Sequence, residues 1–193
     1  PSMTDAQRNA ITSPREGLVV YTTDQDALSL RDNGIWKRLP TTRTVLKTAD
    51  ETVNNSSTYQ TDDALTFTAK ANKKYVVKYY ISLNDPNNDV ATGGTKFKVT
   101  ASGATTVKYY AELSNLVFGA SYTNNPHSDN GADIYCADAF ASYTDDFMYV
   151  QMTAYINPGA SDRTVNLEWA QINANSNNTK ILEGSFLEYE EIN

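Results

Sequence analysis

The chain has 193 residues, of which 40% are hydrophobic and 20% are charged, and its formal net charge is -7. This length supports one sizeable domain, or one domain with a short appendage, without a disulfide or metal to hold its core. The acidic balance argues against nucleic-acid binding and against docking on anionic lipid, because both require a basic surface. The sequence also has no apolar run near the roughly 20 residues that would insert in a membrane.

The first 42 residues predict a separate N-terminal module that begins with a short helix. The segment from Ser2 to Asp5 fits a capping box, in which two side chains satisfy the free N–H groups of the first helical turn. We expect the helix to run through Ile11 and to stop at Pro14, since proline cannot continue a helix.

A small β-meander is predicted after this helix, with strands at 18–21, 27–30 and 35–39. Asn33-Gly34 between the last two strands is typical of a type I′ hairpin turn, which requires positive φ at both positions. A meander this small is marginally stable alone, so we expect it to pack on the main domain, on another subunit or on a larger assembly. The predicted docking residues are Met3, Ile11, Leu18, Val20 and Trp36.

From residue 43 to residue 193 the sequence predicts one strand after another. Apolar and polar residues alternate with a period of two, which places one face of each strand on a core. In the clearest segment, this alternation assigns Val165, Leu167 and Trp169 to that core. Most connecting turns are short, so we expect successive strands to be antiparallel neighbours. The predicted fold class is all-β, an antiparallel jelly-roll-like β-sandwich preceded by the short helix and the three-stranded meander.

Residues that carry catalysis are sparse, and we predict that the protein is not an enzyme. His127 is the only histidine and lies in a polar loop, although a Ser-His-Asp triad stays open as an alternative. The acidic pairs Asp62-Asp63 and Asp145-Asp146 precede predicted strands, where turn chemistry accounts for them. A glycosidase also needs two carboxylates, but nothing in the sequence singles out one pair.

No metal or cofactor site is predicted. One histidine does not make a typical catalytic zinc site. The segment from Asn84 to Asp89 carries the oxygen ligands that calcium prefers, but it lacks the spacing of an EF-hand loop. An Asx-rich turn is the favoured interpretation, and calcium binding stays open. Cys136 is the only cysteine, and its strand-like surroundings favour a small buried residue.

Tyrosine is abundant, with 13 copies, and the strand alternation places Tyr80 and Tyr110 on outward faces. Tyrosine combines a large apolar ring with a polar tip, which suits protein interfaces. The last strand is apolar on both sides, which also favours a subunit interface. Coverage of both faces within the sandwich and a carbohydrate platform are the alternatives. The predicted interface residues are Tyr80, Tyr110, Ile181, Leu187 and Tyr189.

Two groups of segments resemble bacteriophage proteins. The first group comprises residues 3–11, 13–14, 17–24 and 33–36. It resembles an N-terminal module of phage tail, fibre and virion-appendage proteins. The second group comprises residues 46–58, 62–67, 167–171 and 184–187. It is similar to a family of small virion structural proteins of tailed phages.

The resemblance implies a structural protein of a phage virion, assembled in the host cytoplasm and released without a signal peptide. Relatives of this architecture are jelly-roll trimers that decorate capsids or tip fibres. We therefore expect a homotrimer that forms a fibre-like or knob-like appendage on other virion proteins of the capsid or tail, with host attachment as a further role. The first alternative is a capsid decoration (cement) protein. The second is a module that binds or degrades host surface glycan.

Overall fold

The computed structural model of the chain describes residues 1–86, 94–114, 121–122, 128–129, 134–136 and 147–192. Between residues 110 and 147 the description is of the backbone. The chain divides into two compact units, Pro1–Thr42 and Arg43–Asn193.

The N-terminal unit contains one short helix, α1 (Asp5–Asn9). Its N-cap is Thr4, whose hydroxyl accepts a hydrogen bond from the Gln7 N–H at 3.2 Å. The Gln7 side chain in turn accepts a hydrogen bond from the Thr4 N–H at 2.9 Å. The predicted capping box therefore exists, but it starts at Thr4 and not at Ser2. The helix also ends well before Pro14, because its C-cap is Ala10.

A four-stranded sheet forms the rest of this unit. Its strands lie in the order β1 (Ser2–Met3), β2 (Val19–Thr22), β3 (Ala27–Asp32) and β4 (Ile35–Arg38). The three predicted strands are confirmed, and β1 adds a parallel partner to β2 that is too short to show periodicity. Asn33 and Gly34 have φ angles of 51° and 76°, so the hairpin prediction is also confirmed.

The second unit consists of strands packed in two sheets. In chain order these are β5 (Arg43–Leu46), β6 (Glu51–Val53), β7 (Gln60–Ala69), β8 (Lys74–Asn84), β9 (Thr95–Thr100), β10 (Thr106–Ser114), β11 (Ser121–Tyr122), β12 (Ser128–Asp129), β13 (Ile134–Cys136), β14 (Phe147–Asn157), β15 (Arg163–Gln171), β16 (Thr179–Ile181) and β17 (Phe186–Ile192). The small sheet has the order β13-β9-β15-β7, and the large sheet contains the others. In the large sheet β8 is central, with β14 on one side and both β16 and β17 on the other.

The path of the chain differs from the expected sequence of neighbouring strands. β7, β9 and β15 belong to the small sheet, whereas β8, β10 and β14 belong to the large one, so the chain crosses between layers at most turns. Turns with positive φ, such as those at Asn72, Gly103 and Gly159, lie at three of these crossings. The expectation of antiparallel neighbours was therefore wrong for most pairs, although the all-β sandwich itself is confirmed.

The core lies between the inner faces of the two sheets. Val165, Leu167 and Trp169 are fully buried, which confirms the assignment made from strand alternation. Trp169 lies opposite Phe97 on the neighbouring strand of the small sheet. The large sheet contributes Tyr79, Ile81, Leu83, Val150, Met152, Ile156, Ile181 and Leu187.

Candidate functional site

The sheet of the N-terminal unit presents an apolar face to solvent. Residues paired in register lie on the same side of a sheet, and Val19 pairs with Leu30 while Tyr21 pairs with Leu28. The exposed fractions are 39% for Val19, 37% for Tyr21 and 45% for Leu28, and Ile35 on β4 reaches 56%. We call this side the outer face; it consists of Val19, Tyr21, Leu28, Leu30, Asp32, Ile35 and Lys37.

The opposite side of the same sheet is covered by α1. Arg8 on the helix donates a hydrogen bond from Nη1 to the Ser29 hydroxyl at 3.1 Å. The guanidinium of Arg8 also lies 5.7 Å from the centre of the Trp36 ring, within range of a cation–π contact. Val20, which pairs with Ser29, is buried on this side. The unit therefore covers one face of its sheet and leaves the more apolar face open.

The charged residues of the outer face neutralise each other. The Lys37 ammonium donates to the Asp32 carboxylate, and both side chains are about half exposed. They extend from the neighbouring strands β3 and β4, close to the Asn33-Gly34 turn. The outer face thus combines five apolar residues with one internally balanced ion pair.

A second surface, here called the aromatic stripe, crosses the solvent side of the large sheet. Its members are Leu46, Phe186, Tyr80 and Tyr149, with Phe186 paired to Leu46 on one side and to Tyr80 on the other. The rings of Tyr80 and Phe186 stack at 4.5 Å, and those of Tyr80 and Tyr149 lie 6.5 Å apart. Leu46 is 56% exposed, and the three rings are half-buried against one another.

A buried ion cluster lies at the start of the second unit; we call it the Lys47 cluster. The Lys47 ammonium is 2.9 Å from Asp62 Oδ2 and 2.8 Å from Glu51 Oε2. The other oxygen of Asp62 accepts hydrogen bonds from the backbone N–H groups of Ala64 and Leu65. The cluster thereby ties together β5, β6 and β7, which are far from one another in sheet order.

Burial and hydrogen bonding have opposite effects on the groups of the Lys47 cluster. Burial opposes the charged form of Lys47, but its bonds to Glu51 and Asp62 outweigh this and raise the pKa of Lys47. Burial likewise opposes the charge on Glu51, but the bonds from Lys47 and the Asp63 N–H lower the pKa of Glu51. For Asp62, which is the most deeply buried, burial prevails and raises the pKa.

The small sheet carries an open polar groove of about 630 Å³ on its solvent side. Thr100 and Glu168 line it, and the Thr100 hydroxyl donates to the Glu168 carboxylate at 2.7 Å. Lys98 pairs with the other oxygen of Glu168 at 3.0 Å. These polar groups are therefore already engaged with one another across β9 and β15.

The structure places the predicted docking residues mostly on the helix-covered side. Val20 is buried inside the N-terminal unit, which corrects the prediction that it contacts a partner. Met3, Ile11, Leu18 and Trp36 are half-buried. The outer face was missed, yet the sequence held a signal for it. Residues 18–21 are apolar at four consecutive positions, so a strand covered on one side must expose alternate members.

Two corrections apply to the predicted subunit interface. Ile181 and Leu187 are fully buried in the core of their own chain, so their side chains do not face a neighbouring subunit. Tyr189 stacks on Phe67 at 4.1 Å and packs against that same core. The physical reason is that β16, which carries Ile181, and β17, which carries Leu187 and Tyr189, both pair with β8 in the large sheet, so one side of each strand faces the core. Tyr80 lies on the solvent side, in the aromatic stripe.

Several predictions concern residues or side chains outside the part that the structure describes. They are His127, Asp145-Asp146, residues 87–89 of the acidic loop and the side chains of Tyr110 and Cys136. At the described end of that loop, Asp85 is buried and accepts hydrogen bonds from the hydroxyls of Thr95 and Thr179. Asp62 was predicted to lie in a turn before a strand, but it lies within β7, where the pairing with β15 shifts register and where Asp62 forms the buried ion pair described above.

Two features are absent from the described residues. These residues contain no helix that is both long enough and apolar enough for a membrane span. In the same residues, no three His, Cys, Asp or Glu side chains come together in a group that would hold a metal ion.

Residues 1–66 match the family model described as "Phage tail like trimerisation region". This match supports a phage tail-type appendage protein with an N-terminal module, and it confirms the first resemblance. The trimerisation region supports self-association into a homotrimer and a place in the virion. It includes the whole outer face, Leu46 and all three residues of the Lys47 cluster.

Whole-chain comparisons with curated proteins and solved structures find only weak similarity. No curated protein matched the chain. Among solved structures, the infectious bursal disease virus Gt strain is 11% identical, with a TM-score of 0.17, over 83% of this chain and 44% of that chain. The VP2 subviral particle of infectious bursal disease virus is 10% identical, with a TM-score of 0.21, over 83% and 43%. The chain therefore spans less than half the length of these structures' chains.

Proposed function

We propose that the chain is the subunit of a trimeric fibre-like or knob-like appendage on a phage tail. The observation that carries this proposal is the match of residues 1–66 to a phage tail-like trimerisation region. In this arrangement the N-terminal module joins the trimer to other virion proteins, and the sandwich faces outward. The fully buried core of the sandwich supports a rigid structural role.

Host attachment by the sandwich is the finer part of the proposal. The aromatic stripe is one surface for such contacts, since aromatic residues are enriched at protein interfaces. The face-to-face stacking of Tyr80 on Phe186 occupies the ring surfaces that a sugar would otherwise cover. This supports a protein contact more than a carbohydrate platform. We also propose a structural and not an enzymatic role, so incubation with host surface polysaccharide should leave its viscosity unchanged.

The position of the protein in an electron-microscopy map of the virion tests the proposal. Density with threefold symmetry on the tail would support it. Density at the junctions between capsomers would contradict it and would favour the capsid decoration protein.

Phages that lack the protein give a second test. Intact heads with impaired adsorption to host cells are expected for a tail appendage. Heads that lose heat stability while adsorption is retained would contradict the proposal, because a decoration protein acts by holding neighbouring capsomers together.

A further inference from the structure

We propose that the outer face of the N-terminal sheet is the surface through which three copies of this chain meet. This inference rests on the proposed trimer and adds the residues that form it, with Leu28 and Ile35 as its most exposed members. The occupant of the face is therefore a second and a third copy of the same chain.

The first argument is the distribution of apolar residues in the unit. Leu28 and Ile35 are 45% and 56% exposed, while the opposite side of the sheet is covered by α1. Val19 and Tyr21 extend the apolar surface along β2. Leu30 on β3 is the register partner of Val19, so the apolar surface is continuous across the two strands. Contiguous exposed apolar surface of this kind marks an interaction site in soluble proteins.

The second argument is electrostatic. A threefold axis brings identical residues of three copies together, so any unbalanced charge near the axis repels its own copies. The outer face satisfies this condition because its charged residues, Asp32 and Lys37, pair within one chain. The strand residues of the outer face therefore carry no net charge, although the chain as a whole has a net charge of -7. At the edge of the face, the Asp26 carboxylate accepts a hydrogen bond from the Tyr21 hydroxyl.

The third argument is the extent of the trimerisation region. It covers residues 1–66 and therefore every residue of the outer face. The aromatic stripe contributes only Leu46 to this region, and its rings already stack on one another. The outer face is thus the more exposed of the two apolar surfaces, and the one that lies wholly within the matched residues.

Charge insertion on the two sides of the unit tests this inference. Leu28→Glu and Ile35→Glu each place a carboxylate in the outer face, and three such charges meet in a trimer. Ala6→Glu is the matched control: it adds the same charge at an exposed position of α1, on the covered side, where glutamate is a good helix former. Sedimentation equilibrium of the full chain at micromolar concentration gives the mass, and far-UV circular dichroism reports on the strands.

We expect the wild type and Ala6→Glu to sediment as trimers, and both outer-face variants to sediment as single chains with unchanged β-sheet signal. If the outer-face variants remain trimeric, the inference is wrong while the proposed trimeric appendage stands. If the wild type itself sediments as a single chain, both the inference and the proposed trimeric appendage are wrong.

A milder variant covers the case in which a glutamate disrupts folding. Ile35→Thr keeps a β-branched residue on β4, where threonine is well tolerated, and removes apolar surface from the outer face. We expect it to raise the dissociation constant of the trimer roughly tenfold or more. An unchanged dissociation constant in a folded Ile35→Thr protein would overturn the inference.

Discussion

Two lysines form ion pairs with aspartates, one buried and one exposed, and burial decides how much each pair contributes to the stability of the fold. Lys47 and Lys70 each lie 2.9 Å from an aspartate oxygen. The Lys47 and Asp62 side chains are 3% and 0% exposed, whereas those of Lys70 and Asp162 are 65% and 49% exposed. Water screens the exposed pair. In the buried pair, removal of either partner would leave an uncompensated charge in the interior.

Lys47→Met should lower the free energy of unfolding by about 3–5 kcal/mol, because Asp62 and Glu51 would remain buried without their cation. Lys70→Met, the matched control, should leave that free energy nearly unchanged. Urea unfolding followed by Trp169 fluorescence in a Trp36→Phe background measures both, since the protein has two tryptophans. Equal effects of the two substitutions would show that burial does not govern the contact.

The Lys47 cluster also predicts a dependence on pH. The folded pKa of Glu51 lies below its ordinary value of 4.5, so its stabilising effect is fully present above about pH 4.5 and is lost as the pH falls through the lowered folded value. Asp62 acts in the opposite direction, because its raised pKa favours protonation in the folded state. Glu51→Gln should therefore be less stable than wild type at neutral pH, and the difference should shrink in acid. A difference that stays constant from pH 7 to pH 3 would contradict this reading of the cluster.

At the scale of elements, strand positions were predictable and strand partners were not. The alternation that identified Val165, Leu167 and Trp169 is local and depends on one strand alone. The alternation also indicates which side of a strand is buried, but it does not indicate to which sheet the strand belongs. The chain therefore crosses between layers where short turns had suggested hairpins. In the same way, Leu187 was assigned to a subunit interface because its strand is apolar on both sides, whereas its side chain is fully buried in the core of the sandwich.

The β3–β4 hairpin positions the outer face and depends on Gly34. Gly34→Ala places a Cβ on a residue with φ 76°, where nothing lies within 4 Å, so its cost is conformational and amounts to about 1–2 kcal/mol. Asn33→Gly is the control, because glycine accepts the positive φ of that position. Trp36 fluorescence in a Trp169→Phe background reports on this unit. If both variants unfold at the wild-type midpoint, the turn does not limit the stability of the sheet.

At the scale of the whole molecule, the matched region and the compact units do not coincide. The trimerisation region ends at residue 66, within β7, whereas the first compact unit ends at Thr42. The matched segment therefore extends beyond the N-terminal sheet into the sandwich, where the Lys47 cluster ties β5, β6 and β7 together. The sequence predicted a separate module and a trimer, but three of the residues it assigned to contacts, Val20, Ile181 and Leu187, are buried within their own chain. Local patterns do not show that α1 covers Val20 and leaves Leu28 and Ile35 open.

Self-association through residues 1–66 is the central claim of this account, and the mass of the full chain in solution tests it most directly. Sedimentation equilibrium at micromolar concentration should give three times the 21.3 kDa of one chain. A mass equal to a single chain under these conditions would contradict the account.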